Sequence, residues 1–144
     1  MNEFINNGIG VPVAGRVLLA EDNEINAEIA KIQLKDINME VDWVRNGAAA
    51  LETFGESNEN YYDVILMDIM MPIMDGYEAI RLIRNLDRQD AERIPIIAIS
   101  ANGFSGVSSD ARDSAISCFI SKPYNKKELQ GTVINLLEKS IAAV

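Results

Sequence analysis

Residues 64–80 of the sequence, Val-Ile-Leu-Met-Asp-Ile-Met-Met-Pro-Ile-Met-Asp-Gly-Tyr-Glu-Ala-Ile, decide the fold. They open on an unbroken apolar run, which is typical of a short strand that is buried on both faces. After Asp75, the side chains of Tyr77, Ile80 and Ile83 recur at helical spacing. The stretch therefore predicts a buried strand, then a loop, then a helix.

The same alternation extends along the chain on both sides of this stretch. Further short stretches predict strands at Arg16–Ala20, Glu40–Val44, Ile96–Ile99 and Cys118–Ile120, all apolar runs except Glu40–Val44, in which acids alternate with apolar residues. Helical spacing occurs in Ile25–Leu34, Ala50–Phe54 and Leu129–Leu137, with Asn23, Asn46 and Asn125 as N-caps, and a small, polar segment at Ser105–Ala115 gives a weaker helix signal. Strands that alternate with helices form right-handed βαβ units. The predicted fold is therefore an α/β, doubly wound, five-stranded parallel sheet that is covered on both faces.

Composition limits the possible functions. The chain has 144 residues, of which 48% are apolar and 24% are charged, and this profile predicts one ordinary globular domain. Residues 1–15 carry three glycines and a proline and are predicted to be a flexible leader or linker, so the domain spans residues 16–144. The net charge of −9 makes nucleic acids and anionic membranes poor partners. No signal peptide or membrane-length apolar run is visible, which predicts a cytoplasmic location.

The absence of histidine excludes several kinds of chemistry. The sequence contains no histidine and a single cysteine, Cys118. Histidine-based catalytic triads, histidine general bases, phosphohistidine carriers and zinc sites built on histidine or several thiolates are therefore excluded. The remaining chemistry must use carboxylates, lysine, hydroxyls, backbone groups or a hard cation. Cys118 itself is predicted to be a small buried hydrophobe, and Trp43 is predicted to serve in packing.

Polar residues follow the predicted strands at one edge of the sheet, where ligands bind in open α/β folds. Glu21 and Asp22 follow the first strand, Asp68 ends the third, Ser100 follows the fourth, and Lys122 lies just beyond the fifth. Clustered carboxylates repel one another unless a cation lies among them, and oxygen ligands suit Mg²⁺ or Mn²⁺. A lysine and a hydroxyl beside such a cation are suited to binding a phosphoryl group, and a carboxylate can accept it.

These residues carry a resemblance to a known family. Leu19–Asn23, Leu66–Gly76, Ser100–Ala101 and Lys122–Pro123 resemble, in order and spacing, the receiver domain of two-component response regulators. The resemblance covers Arg16 to Ile141, and the stretch that ends at Asn26 is similar to receivers of hybrid sensor histidine kinases. The fold that it implies is the (βα)5 flavodoxin-like receiver fold.

The resemblance also implies a role for each site residue. Asp68 is then the phosphorylation site, and it accepts a phosphoryl group from a histidine kinase or a histidine phosphotransfer domain. Glu21, Asp22, Asp68 and the backbone carbonyl of Met70 are then the ligands of Mg²⁺. Ser100 and Lys122 contact the phosphoryl oxygens, Ser100 and Phe119 act as the switch, and the Lys122–Pro123 peptide is cis. The face formed by the predicted fourth helix, the fifth strand and the last helix then changes on phosphorylation.

Two other classes of protein remain as alternatives. A magnesium-dependent phosphatase with an aspartate nucleophile, similar to the haloacid dehalogenases, requires a second acid two residues after the first, where this chain has Met70. A pseudo-receiver scaffold lacks the acids that Glu21, Asp22 and Asp68 supply here. A receiver catalyses its own phosphorylation and dephosphorylation, so it is not expected to be a free-standing enzyme outside a hybrid histidine kinase.

Overall fold

The computed structural model describes residues 13–101 and 115–142, and side chains only as far as residue 140. Residues 1–12 of the predicted leader and almost all of the predicted helix at Ser105–Ala115 lie outside the described residues. The first strand begins at Gly15, and Val13 is buried. The division into a leader and a domain at residue 16 stays a prediction.

Five strands form one sheet. They are β1 (Gly15–Ala20), β2 (Met39–Val44), β3 (Val64–Asp68), β4 (Ile96–Ser100) and β5 (Cys118–Ser121). Their order in the sheet is β2-β1-β3-β4-β5, and each neighbouring pair is parallel. The chain therefore winds outward in one direction from β1 and in the other from β3, as predicted for a doubly wound, flavodoxin-like fold.

Four α-helices are described. They are α1 (Glu24–Lys35), α2 (Gly47–Glu56), α3 (Gly76–Arg84) and α4 (Lys126–Ala142), and a short 3₁₀ helix at Gln89–Glu92 was not predicted. The three predicted asparagine caps are confirmed, since each side chain accepts the backbone N–H three residues further along. Asp75 caps α3 in the same way. None of the described helices is both long and apolar enough to cross a membrane.

The hydrophobic core lies on both faces of the sheet. One cluster joins α2 and α3 to strand residues such as Leu18, Ile65 and Met67. The other joins α1 and α4 to the alternate strand residues, including Leu19 and Leu66. Successive side chains of a strand point to opposite faces, so unbroken apolar runs are what a sheet covered on both faces requires.

Helix α1 carries more apolar residues than it buries. Its buried residues are Ala27, Ala30 and Leu34. Ile25, Ile29 and Ile32 are 70%, 47% and 68% exposed and form a second row at helical spacing. Helical periodicity alone did not show which row faces the sheet.

Cys118 on β5 also differs from its prediction, because it is half-buried rather than buried.

Arg88 joins the loop after α2 to the segment after α3. Its guanidinium donates to the carbonyls of Phe54, Ser57 and Asn58 and lies 4.4 Å from the centre of the Phe54 ring. It also makes two bonds, of 2.6 and 3.0 Å, to the carboxylate of Asp90. The two side chains are only 10% and 6% exposed, so this pair is held in the interior. Arg88 thereby donates to carbonyls at and just beyond the end of α2, where the helix provides no further N–H donors.

Candidate functional site

The topology brings the predicted site residues to one edge of the sheet. Strands β1 and β3 are neighbours, and the chain leaves them in opposite directions. Glu21 follows β1 directly and Asp68 is the last residue of β3, so both lie at the carboxyl ends of adjacent parallel strands. This is the position in an open α/β sheet where a crevice forms between diverging connections.

Three carboxylates meet in this crevice. Glu21, Asp22 and Asp68 each place an oxygen within 4.8 Å of the others. Glu21 and Asp68 are buried, whereas Asp22 is exposed. Such a group is unfavourable without positive charge, and its all-oxygen donor set matches the preference of Mg²⁺. An exposed third carboxylate would also leave room for the waters that Mg²⁺ retains.

Lys122 reaches the same crevice from the end of β5. Its ammonium group lies 2.9 Å from Asp68 Oδ2 and 3.2 Å from Glu21 Oε1. Burial lowers the pKa of Lys122, but the hydrogen bonds and charges of Asp68 and Glu21 outweigh it, so the pKa is raised above its usual value. Three carboxylates against one ammonium leave two formal negative charges, which a divalent cation would neutralise.

Glu21 is held in place by bonds to its backbone and its side chain. Its N–H donates to the carbonyl of Val44 at 3.0 Å, and its carbonyl accepts the indole N–H of Trp43 at 2.7 Å. Its carboxylate accepts the backbone N–H of Asn23 at 3.1 Å. Burial raises the pKa of Glu21, and the bonds from Asn23 and Lys122 offset this only in part. A cation in the crevice would therefore favour the ionised form.

The loop after β3 packs tightly beside Asp68. The backbone N–H of Met70 donates to Asp68 Oδ1 at 3.0 Å, which fixes the carboxylate. A Cβ at Gly76 would lie 2.5 Å from the carbonyl oxygen of Asp68, so this position excludes any side chain. Ile73 has a φ of 71°, which is strained for a β-branched residue. The Met70 carbonyl as a metal ligand stays a prediction.

The remaining predicted residues lie on β4 and β5. Ser100 is buried at the end of β4, and its carbonyl accepts the backbone N–H of Lys122 at 2.8 Å. Phe119 is half-buried on β5 and packs against the core cluster of α2 and α3. The Lys122–Pro123 peptide is cis, as predicted. The structure thus gathers Glu21, Asp22, Asp68 and Lys122 at one point, with Ser100 beside them at the same edge.

Sequence reasoning missed one residue of this site. Trp43 was predicted to serve in packing, yet its indole N–H contacts the backbone of a carboxylate residue. Its position one residue before the end of the second predicted strand could have indicated a place near the edge of the sheet, but not which atom its side chain reaches.

The sequence matches the family described as the response regulator receiver domain over residues 17–134. Hybrid signal transduction histidine kinase L of Dictyostelium discoideum is 38% identical over 117 residues, which are 81% of this chain and 7% of that protein. Peroxide stress-activated histidine kinase mak1 of Schizosaccharomyces pombe is 34% identical over 122 residues, 84% of this chain and 7% of that protein. The chain thus spans a small part of these curated relatives.

Solved structures show the same likeness in three dimensions. The receiver domain of sensor histidine kinase PA1611 from Pseudomonas aeruginosa, solved with a magnesium ion coordinated in its active site cleft, is 30% identical with a TM-score of 0.76. The alignment covers 88% of this chain and 99% of that one. Together with the acidic crevice, the matched sequence and the shared fold lead to one assignment: this chain belongs to the response regulator receiver domain family.

Proposed function

We propose that this domain accepts a phosphoryl group on Asp68 from a phosphohistidine of a partner protein. The observation that carries the proposal is the position of the Asp68 carboxylate, which is buried within 4.8 Å of carboxylate oxygens of Glu21 and Asp22 and has the Lys122 ammonium at 2.9 Å. In the reaction, an oxygen of Asp68 attacks phosphorus and the P–N bond breaks. The electrons of that bond go to the nitrogen of the departing imidazole, which takes up a proton from solvent. The product is an acyl phosphate on Asp68.

The surrounding residues provide the charge compensation that the transfer needs. Glu21, Asp22 and Asp68, with the carbonyl of Met70, would hold Mg²⁺, and Mn²⁺ shares its preference for oxygen ligands. When bound, the cation supplies charge stabilisation for the phosphoryl oxygens. Lys122 leaves its contact with Asp68 to pair with a phosphoryl oxygen, and Ser100 donates a hydrogen bond to another. Met70 N–H keeps the carboxylate of Asp68 oriented.

Mass spectrometry after incubation with acetyl phosphate and Mg²⁺ separates this function from the alternatives. We expect a single added phosphate. Rapid turnover of phosphate esters without a lasting adduct would favour the phosphatase, although the residue where that class has its second acid is Met70, whose side chain is exposed. No change in mass would favour the scaffold.

Magnesium should stabilise the folded protein by about 1–3 kcal/mol when present well above its dissociation constant, because the unfolded chain does not assemble the three carboxylates. The melting temperature should therefore rise with Mg²⁺, and the rise should shrink in Asp22→Ala. Glu52→Ala removes an exposed acid on α2 and serves as the matched control. An equal Mg²⁺ effect in all three proteins would place the ion elsewhere.

The switch we propose uses Ser100 and Phe119. Movement of Ser100 toward a phosphoryl group would open space beside β4, into which Phe119 can turn, so that the face of β5 and α4 changes. Phe119 has no hydroxyl, so packing alone separates its two positions. NMR spectra with and without beryllofluoride should show shifts at Phe119 and along α4. Shifts confined to the Asp68 loop would contradict the switch.

Exposed apolar side chains indicate where a protein donor would dock. Ile25 lies three residues after Asp22, and Met70 and Ile73 follow Asp68 by two and five residues. All three are exposed, and Ile25 continues into the row of exposed isoleucines on α1. A phosphohistidine must approach Asp68 across this surface, so its domain is the partner that we propose to cover it.

Ile25→Ser should slow phosphotransfer from a protein phosphohistidine donor about tenfold, as expected for the loss of one buried apolar contact in a complex. The reaction with acetyl phosphate should stay within about twofold, because this small donor needs no docking surface. Rapid-quench assays with the two donors measure both rates. Equal slowing with both would show that the substitution disturbs the crevice instead of the docking surface.

A further inference from the structure

Trp43 connects strand β2 to the acidic crevice. It is the only tryptophan of the chain, and it lies on β2 opposite Leu19 of β1. Its indole N–H donates to the carbonyl of Glu21 at 2.7 Å. This carbonyl belongs to the peptide group that joins Glu21 to Asp22, two of the three carboxylate residues of the crevice.

Strand β2 therefore makes hydrogen bonds to both backbone polar groups of Glu21, the N–H and the carbonyl. The N–H of Glu21 donates to the carbonyl of Val44, and the carbonyl of Glu21 accepts from Trp43. The first bond continues the sheet beyond the end of β1, whereas the second fixes the plane of the next peptide. Because that plane sets the direction in which the chain continues, the Trp43 bond sets where the exposed carboxylate of Asp22 can lie.

The indole is itself held by two cations. The guanidinium of Arg45 lies 4.3 Å from the centre of the Trp43 ring, and the ammonium of Lys31 on α1 lies 5.7 Å from it. Arg45 also reaches Glu24, the first residue of α1, at 4.0 Å. Contacts from two elements thus restrict the rotation of the indole and keep its N–H directed at Glu21.

We infer that Trp43 is a positioning residue of the magnesium site, which orients Asp22 through the Glu21 carbonyl without touching the ion. The inference rests on the proposed binding of Mg²⁺ by Glu21, Asp22 and Asp68. Residues that orient the ligands of a metal affect its affinity although they do not contact it. The N–H of the indole, and not its bulk, carries this role.

Calorimetric titration with Mg²⁺ tests this role in two forms of the protein. Trp43→Phe keeps an aromatic ring between the two cations but has no donor. Because the chain has one tryptophan, growth on a benzothienyl analogue of tryptophan replaces the N–H by sulfur at this position alone. This analogue preserves the bicyclic shape, so the test holds even if the phenylalanine variant folds poorly.

We expect either replacement to weaken Mg²⁺ binding about 3- to 10-fold, which corresponds to one net hydrogen bond. The matched control is Tyr62→Phe. It removes the hydroxyl that donates to Asp42, the neighbour of Trp43 on β2, and it should leave the Mg²⁺ affinity unchanged. If the wild type binds Mg²⁺ and both Trp43 replacements bind it with the same affinity, the positioning role of Trp43 is overturned while the proposed metal site stands. A wild-type protein that does not bind Mg²⁺ overturns the proposed metal site, and the inference with it.

The single indole N–H provides a second readout. It gives one side-chain resonance in a ¹H–¹⁵N spectrum, and this resonance should shift as Mg²⁺ is added, with the same dissociation constant as the calorimetric titration. A purely structural tryptophan would alter the melting temperature when it is replaced but would give a resonance that Mg²⁺ does not move. A static resonance therefore contradicts the positioning role.

Discussion

Replacing Asp68 by asparagine should abolish the uptake of phosphate from acetyl phosphate. The amide has the size of the carboxylate but is a far weaker nucleophile, so no acyl phosphate can form. The variant is expected to remain folded, because removing one of three clustered carboxylates also relieves repulsion in the crevice. Intact-mass measurement after incubation with acetyl phosphate and Mg²⁺ gives the result directly.

Asp87→Asn is the matched control for this experiment. Asp87 is an exposed aspartate between α3 and β4, away from the crevice, and its variant should be labelled as fully as the wild type. Labelling that persists in Asp68→Asn would move the phosphorylation site to another carboxylate, with Asp22 the first to be examined. Peptide mapping of the labelled protein would then identify it.

Arg88→Ala should destabilise the fold by about 3 kcal/mol, which is typical when one partner of a buried ion pair is removed. The substitution leaves Asp90 buried without its cation, and it removes the hydrogen bonds that the guanidinium donates to the carbonyls of Phe54 and Ser57. Urea unfolding followed by circular dichroism measures the loss. The slope of the transition should be unchanged, since the folded structure is otherwise the same.

Arg81→Ala gives the contrast that tests this reasoning. Arg81 also pairs with a carboxylate, Glu78, at 2.7 Å, but both side chains are about half exposed on α3. Solvent screens such exposed pairs, so they contribute little to stability and the loss should be much smaller than for Arg88→Ala. Equal losses from the two arginine variants would mean that burial of the Arg88 pair does not determine its contribution.

The contribution of Arg88 to the free energy of unfolding should also depend on pH. Burial raises the pKa of Asp90, but the bonds from Arg88 and from the backbone N–H of Asn60 outweigh it, so the pKa lies below its usual value. A carboxyl group with a lowered pKa contributes stability above its unfolded pKa of about 4, and this contribution is lost as the pH falls through the folded value. The difference between wild type and Arg88→Ala should therefore decrease in acid.

Local patterns in the sequence determined much of the fold. Each strand was predicted to within one or two residues. For strands such as β3 and β4, an unbroken apolar run was sufficient evidence for a strand buried on both faces, whereas β2 contains Glu40 and Asp42 and is only partly buried. The asparagine caps were correct because a cap depends on a side chain and an amide three residues apart. The order of strands and helices then predicted the parallel sheet and placed Glu21, Asp68 and Lys122 at one edge.

The tertiary structure decided what depends on residues that are distant in the chain. Lys122 meets Glu21 across 101 positions, and periodicity cannot give that distance. The isoleucines of α1 fit a helix on either face, and only packing against the sheet showed that Ala27, Ala30 and Leu34 are the buried row. Trp43 and Arg88 act through hydrogen bonds to carbonyls of other segments. Every residue carries such a carbonyl, so the sequence does not mark which one a side chain will reach, and only the folded backbone brings that partner within bonding distance.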